Sequence, residues 1–391
     1  MGKRKGVESS IALADSAAMC RIEAIAAYPI TPQTHIVEHL SEWVNDGHLD
    51  AEFVPVESEH SAMSAALGMS AVGARTFTAT SSQGLALMHE ILFIAPAMRL
   101  PIVMAVANRS LSGPISIWND HSDIMTDRDI GWVQIFAENG QECFDLVPAC
   151  FRVAEDKRVV LPTILNFDGF VVSHMIEPIE FWTQEQFDAY LPPFDPQIKL
   201  DVRKPVAMGA VGIPEIYYEA RLAQQNALLN AKAVVVEAFA ELEKMVGRKY
   251  NLVETYKADD ADAILYLMGS LSETAMTAVD NLRKQGKKVG LVRPRLWRPF
   301  PTQELLAAFG NVPVVGVCDR ALAFGHEHHM VAQEIRTLFY DAPNRPKLVE
   351  FVIGLGGRDV TIGDMEHILN RLLEVKNGAP VGPVEYVGVR K

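Results

Sequence analysis

Short apolar runs alternate with longer stretches whose apolar residues recur every three or four positions across the first 170 residues. Ala24–Tyr28 reads as a strand. From Pro32 to Asn45, Ile36, Val37, Leu40, Trp43 and Val44 share one helical face, with Pro32 opening the first turn. Glu52–Val56 is a second strand, interrupted by Pro55, and a helix rich in Ala and Ser follows over Ser58–Gly73. Arg75–Thr80 is a third strand. It leads through Ser81-Ser82-Gln83-Gly84 into a helix ending near Met98. Ile102–Ala107 is continuously apolar, as in a strand of a sheet covered on both faces. The alternation predicts βαβ units and an α/β fold built on a parallel sheet.

Beyond this the pattern changes twice. Residues 183–214 are rich in Pro and Asp and read as an irregular connector arm, and Glu215–Val246 is strongly helical. Residues 251–262 are mostly polar and read as an interdomain linker. A second α/β unit, 263–391, then starts with the strand Ala263–Met268 and the helix Thr274–Gln285. Lys288–Val292, Val312–Cys318 and Leu348–Ile353 are further strands, and Arg293–Pro301 reads as a rigid connection. Two domains are therefore expected, 1–250 and 263–391.

The length of 391 residues suits that division, and 49% hydrophobic against 22% charged residues suits folded cores. With 36 Lys+Arg against 49 Asp+Glu, the net charge of −13 argues against a nucleic-acid partner. The one dense basic run, Lys3-Arg4-Lys5, reads as a solvated tail. Cys20, Cys143, Cys150 and Cys318 contain no C-x-x-C pair, so neither zinc nor an iron–sulfur cluster is expected on this chain. They read as buried structural thiols in a reducing cytoplasm. The most apolar stretch, Ile91–Ala107, is broken by Arg99 and two prolines, so no membrane partner is expected.

In open parallel sheets, ligands bind beyond the carboxyl ends of the strands. That places Thr31, Glu57, Glu59, Ser81, Ser82, Gln83, Asn108 and Arg109 on one predicted rim. Other motifs carry less. Gly354-Leu-Gly-Gly357 lacks a phosphate-loop lysine and reads as a turn needing positive φ. His326, His328 and His329 read as surface, and no G-x-S-x-G elbow supports a serine hydrolase.

Several motifs in register carry a resemblance. Tyr28-Pro-Ile-Thr-Pro-Gln-Thr34, Val56-Glu-Ser-Glu-His-Ser-Ala-Met63, Phe77-Thr-Ala-Thr-Ser-Ser-Gln-Gly84 and Asn108-Arg109 are among them. So are Asn119-Asp-His-Ser-Asp123, Asp168-Gly-Phe170 with Ser173-His174, Met268-Gly-Ser270, Arg295-Leu-Trp-Arg-Pro-Phe300 and Gly356-Gly-Arg-Asp-Val-Thr361. Together they resemble the α subunits of the pyruvate:ferredoxin oxidoreductases, within the thiamine-diphosphate-dependent 2-oxoacid:ferredoxin oxidoreductases.

The resemblance implies a pyrimidine-binding domain of a thiamine-diphosphate enzyme followed by a domain like the transketolase C-terminal domain. Diphosphate and Mg²⁺ would be held by a β subunit, and [4Fe-4S] clusters would lie on partner subunits of the β, γ and δ types. Pyruvate, coenzyme A and ferredoxin would be the reactants. Glu59 would face N1′ of the cofactor's aminopyrimidine, where a carboxyl in a dry cleft can share a proton with the ring. Glu57 is its nearest rival, and a helix-start carboxylate is the plainer reading of Glu59. Arg109 would grip the substrate carboxylate through its planar fork, and the Thr31 hydroxyl would hydrogen-bond pyruvate. A surface arginine and a helix-capping threonine are their plainer readings. Asp120, His121 and Asp123 are supporting or interface groups. Two alternatives stay open: the same reaction on another 2-oxoacid (2-oxoglutarate or a branched-chain acid), or a non-catalytic scaffold that binds partners.

Overall fold

A computed structural model describes residues 3–390; residues 1–2 and 391, the extreme ends of the two expected domains, lie outside the described residues. The chain opens with β1 (Arg4–Glu8), α1 (Ser9–Met19), β2 (Ala24–Ala27), α2 (Thr34–Asn45), β3 (Glu52–Pro55) and α3 (Glu59–Ala71). It continues through β4 (Thr76–Thr80), α4 (Ser82–Leu92), α5 (Ile94–Ala97), β5 (Val103–Asn108), α6 (Ser122–Thr126), β6 (Val133–Phe136) and α7 (Gly140–Glu155). Then come β7 (Thr163–Asp168), β8 (Ile176–Glu180), α8 (Gln184–Tyr190) and the long α9 (Pro214–Val246). The remainder is β9 (Val253–Tyr256), β10 (Ala263–Tyr266), α10 (Leu271–Lys284), β11 (Val289–Pro294), β12 (Leu296–Arg298) and α11 (Thr302–Phe309). It closes with β13 (Val314–Asp319), α12 (Met330–Tyr340), β14 (Lys347–Val352), α13 (Ile362–Lys376) and β15 (Glu385–Tyr386).

These strands form a seven-stranded sheet in the order β12-β6-β7-β5-β4-β2-β3 and a six-stranded sheet in the order β15-β14-β13-β10-β11-β9. Pairing is parallel except at one edge of each sheet, β12 on β6 and β9 on β11. The central strands β4, β5 and β7 are buried at every position, and for β5 this is why the sequence reads as a continuously apolar run. On one face of the first sheet, Leu13, Ile36, Phe144, Val147 and Phe239 pack against Ile25, Phe77, Val103 and Leu165. The core on its other face is shared. Met63, Leu85 and Met88 from α3 and α4 belong to one cluster with Ile264, Val315 and Ile335 of the second unit. The two sheets are thus welded through a common apolar layer rather than hinged.

Five expectations need correction. Lys3-Arg4-Lys5 is no free tail, because β1 pairs antiparallel with β8 from Arg4 to Glu8. The 251–262 stretch is not a plain linker: Val253–Tyr256 is an edge strand, half-exposed and therefore largely polar in sequence. Arg293–Pro301 is more than a connection, since Leu296–Arg298 crosses to the first sheet and buries Trp297 completely. The 183–214 arm contains α8, opened by a reciprocal cap between Thr183 and Gln186. Pro32 precedes α2 rather than opening it. Gln33 stands at its N-cap, and the Gln33 amide nitrogen donates to the Tyr28 carbonyl 2.8 Å away.

Candidate active site

The carboxyl ends of β2 to β5 and β7 gather the expected rim. Ser58 caps α3 by accepting from the Ser61 N–H, which starts the helix at Glu59. Glu59 is 8% exposed, and its carboxylate accepts no hydrogen bond among the described residues. Glu57, one step before the cap, is exposed and accepts from the Ser61 hydroxyl, which lowers its pKa. Burial therefore separates the two rivals. Opposite Glu59 lies Gly84. A Cβ there would sit 2.8 Å from the Glu59 side chain and 2.4 Å from Thr80 Oγ1, so only glycine fits.

Arg109 follows β5 and is 6% exposed. Its Nε donates to the Ser116 carbonyl at 2.8 Å and its Nη1 to the Thr31 carbonyl at 2.9 Å. Two backbone oxygens thus fix the guanidinium and leave Nη2 without a partner among the described residues. Burial lowers the guanidinium pKa, and the nearby Asp123 carboxylate partly offsets this. Thr31 is brought to Arg109 through its main chain, and its exposed hydroxyl caps no helix. Its neighbour Pro32 packs against Gly169, whose N–H donates to the Asn108 carbonyl at 3.0 Å.

Asp123 ties these parts together. Its carboxylate accepts from the backbone N–H of Arg109 at 2.9 Å and of Ser82 at 3.1 Å, and from Asn108 Nδ2 at 3.1 Å. Burial pushes the Asp123 carboxyl up to about 7 against the pull of these donors. Ser82 holds a left-handed backbone (φ 47°), a conformation that costs about 1–2 kcal/mol for a residue with a side chain. Its N–H bond to Asp123 and its hydroxyl bond to the Ser110 carbonyl keep it there.

The segment carrying Asp123 is gripped by the second unit. Asp120 accepts from the Gly356 N–H at 3.0 Å, the Asn119 carbonyl from Gly357 at 2.7 Å, and the His121 N–H donates to the Arg320 carbonyl at 2.9 Å. Below it, Asp168 at the end of β7 is bonded to His121 Nε2 (2.9 Å), Arg320 Nη1 (2.7 Å) and the Ser270 N–H (2.9 Å). Burial alone would raise the Asp168 pKa, but Arg320 and His121 outweigh it and hold the carboxyl below the ordinary range. Burial, with Arg320 adding to it, lowers the His121 pKa. Sequence pattern alone does not single out Gly84 or Arg320 for these parts, because each meets its partner only in the folded chain. Gly354, Gly356 and Gly357 do have positive φ, as the turn reading requires. The four cysteines are free and buried.

Comparison with known proteins bears on this geometry. Residues 15–240 match the family described as "Pyruvate flavodoxin/ferredoxin oxidoreductase, thiamine diP-bdg", and residues 261–365 match "Pyruvate:ferredoxin oxidoreductase core domain II". Pyruvate synthase subunit PorA of Pyrococcus horikoshii is 45% identical over 390 residues, covering 99% of this chain and 98% of that one. Ketoisovalerate oxidoreductase subunit VorA of the same organism is 43% identical over 374 residues, covering 95% and 94%. Among solved structures, the 2-oxoglutarate:ferredoxin oxidoreductase of Magnetococcus marinus superposes with a TM-score of 0.69 at 20% identity, over 96% of this chain and 66% of that one. This last likeness speaks for the fold.

Proposed function

The chain belongs to the pyruvate:ferredoxin oxidoreductase family, and on that premise we propose that it is the subunit of a pyruvate synthase that presents Glu59, Thr31 and Arg109 to thiamine diphosphate and pyruvate. The reaction converts pyruvate and coenzyme A to acetyl-coenzyme A and CO₂ while reducing ferredoxin, or runs in reverse. The observation that carries the assignment is Glu59: an inward-turned carboxylate, 8% exposed, that accepts no hydrogen bond among the described residues and packs against Gly84 at the carboxyl edge of the sheet. A buried acceptor of this kind is costly unless a donor arrives, and a protonated ring nitrogen is such a donor. The chain therefore fits the cofactor's aminopyrimidine. Thiamine diphosphate, when bound, supplies a carbon nucleophile and an electron sink for decarboxylation.

The protein's own groups divide the remaining work. Glu59 holds and returns the proton at the ring nitrogen. Arg109, aimed by the Thr31 and Ser116 carbonyls, offers Nη2 to the 2-oxoacid carboxylate. The Thr31 hydroxyl, free of capping duty, donates to the substrate. Asp123 keeps Arg109 and Ser82 in register from behind.

Diphosphate and Mg²⁺ we assign to a β-type subunit, and the [4Fe-4S] clusters to β-, γ- or δ-type partners that pass electrons to ferredoxin. The buried positions of all four thiols support this division. So do the exposed Ile115 (78%) and Trp118 (51%), on the segment whose Ser116 carbonyl accepts from Arg109, which suit burial by another chain. Along the chain we divide the thiamine-binding unit from the transketolase-C-terminal-like unit near residue 250, with β9 assigned to the second. Among the described residues no helix is long and apolar enough to cross a membrane, and we place the protein in the cytoplasm.

A second reading, oxidation of a branched-chain 2-oxoacid, is favoured by the 43% identity to a ketoisovalerate oxidoreductase subunit. Arg109 and Thr31 address only the end that all 2-oxoacids share. Ferredoxin-linked turnover of the reconstituted complex across a panel of 2-oxoacids decides between them. Pyruvate is expected to give the highest kcat/KM, and a larger value for 2-oxoisovalerate or 2-oxoglutarate would overturn the pyruvate assignment.

A further inference from the structure

Away from Glu59 and Arg109, three side chains from distant parts of the sequence converge. They are Glu8 at the end of β1, His35 in the first turn of α2, and His174 in the turn between β7 and β8. One donor atom from each lies within 4.8 Å of the other two. His35 Nδ1 is 2.6 Å from Glu8 Oε1, and the two imidazole centroids are 4.7 Å apart. We propose that Glu8, His35 and His174 form a binding site for one divalent transition-metal ion of the zinc type, which ties the N-terminal strand, the head of α2 and the 169–175 turn together.

The donor set decides the class of ion. Two imidazoles and one carboxylate suit zinc and its neighbours, whereas Mg²⁺ and Ca²⁺ need mostly oxygen ligands. Zinc bonds of about 2.0–2.2 Å in tetrahedral array separate neighbouring donors by about 3.4 Å, so modest side-chain rotation closes the site. The fourth position would be left to water.

The backbone already holds the three ligands in place. Glu8 pairs with Ile176 in the β1–β8 ladder, the Ser9 N–H donates to the Met175 carbonyl and the Ser10 N–H to the Ser173 carbonyl, both at 3.0 Å. His174 is oriented from behind. Its Nδ1 lies 2.7 Å from Ser173 Oγ, which also accepts from the Phe170 N–H at 2.8 Å. With Nδ1–H donating to that oxygen, Nε2 keeps its lone pair for an ion, the arrangement by which metal-bound histidines are usually fixed. Phe170 packs against the same ring, with centroids 4.7 Å apart and the planes tilted by 40°. On binding, the ion takes the place of the proton shared by His35 and Glu8. The His326/His328 pair lacks such convergence: His326 Nδ1 accepts from the His328 N–H, and His328 pairs with Glu350.

The test uses the untagged full-length chain, stripped with a chelator and titrated with Zn²⁺ by calorimetry and with Co²⁺ by its visible absorption. One ion per chain should bind, with a tetrahedral-type cobalt spectrum and a Zn²⁺-dependent rise in melting temperature. His35→Ala and His174→Ala should each weaken binding by about 100-fold or more, and Ser173→Ala, which removes the orienting hydroxyl, by about 10-fold or more. His326→Ala should leave binding unchanged. If the histidine variants do not fold, Glu8→Gln carries the same test, because it removes the ligand charge at constant shape. Absence of a saturable site, or one that survives substitution at Glu8, His35 and His174, overturns the proposal.

Discussion

Glu59 and Glu57 differ by two residues and by one helix boundary. Because the Ser58 hydroxyl ends the extended segment and begins α3, Glu59 turns inward while Glu57 stays in water. The order of residues is visible in sequence, but the close packing beside Glu59 is not, since it depends on Gly84 arriving from another helix. That yields a residue-scale prediction. Gly84→Ala places a methyl 2.8 Å from the carboxylate's side chain and forces it aside. A displacement of about 1 Å at a reacting group can cost about 100-fold in rate. Gly84→Ala should therefore lower turnover of the assembled complex by about that factor and weaken thiamine diphosphate binding, while the circular-dichroism spectrum and melting transition persist. Unchanged turnover and cofactor affinity would show that Gly84 leaves the carboxylate undisturbed. Arg109 and Thr31 were likewise legible as rim residues. What sequence pattern could not supply is that the Thr31 carbonyl, rather than its hydroxyl, meets Arg109.

At the scale of elements, the buried strands β2, β4, β5, β10, β11, β13 and β14 were readable. The buried β6, β7 and α7 were not distinguished by the pattern, and the missed edge strands share one cause. β1, β9 and β12 are short or half-exposed edge strands whose partners lie far away in sequence, so neither period nor length marks them. The small helix α8 did leave a mark, the T-x-x-Q cap of Thr183 and Gln186. The same non-local pairing creates the grip on residues 119–123, which joins the two units through Asp168, Arg320 and Ser270. Because the folded Asp168 pKa lies below that of the unfolded chain, its ion pair stabilises the fold above about pH 4 and is lost as pH falls through and below that value. Asp168→Asn should thus lower the denaturation midpoint at neutral pH, and the gap from the parent should narrow toward about pH 3. Parallel pH profiles for the two proteins would contradict this account of the clamp.

The whole molecule is two sheets joined by a shared apolar layer, with the candidate site on the carboxyl edge of the first. Its −13 charge excludes little, but the scattered cysteines acquire a sharper meaning. With all four thiols free and buried, the proposed assignment has this chain pass its electrons to another. The central claim is that this chain contributes the proton-holding carboxyl to a cofactor whose other parts are held elsewhere. The most direct test is pyruvate-dependent ferredoxin reduction by the assembled complex carrying Glu59→Gln, which keeps the shape and removes the acid. The rate is expected to fall by about 10²–10⁴-fold with assembly and fold intact. Turnover equal to that of the parent would contradict the assignment and leave the chain a scaffold.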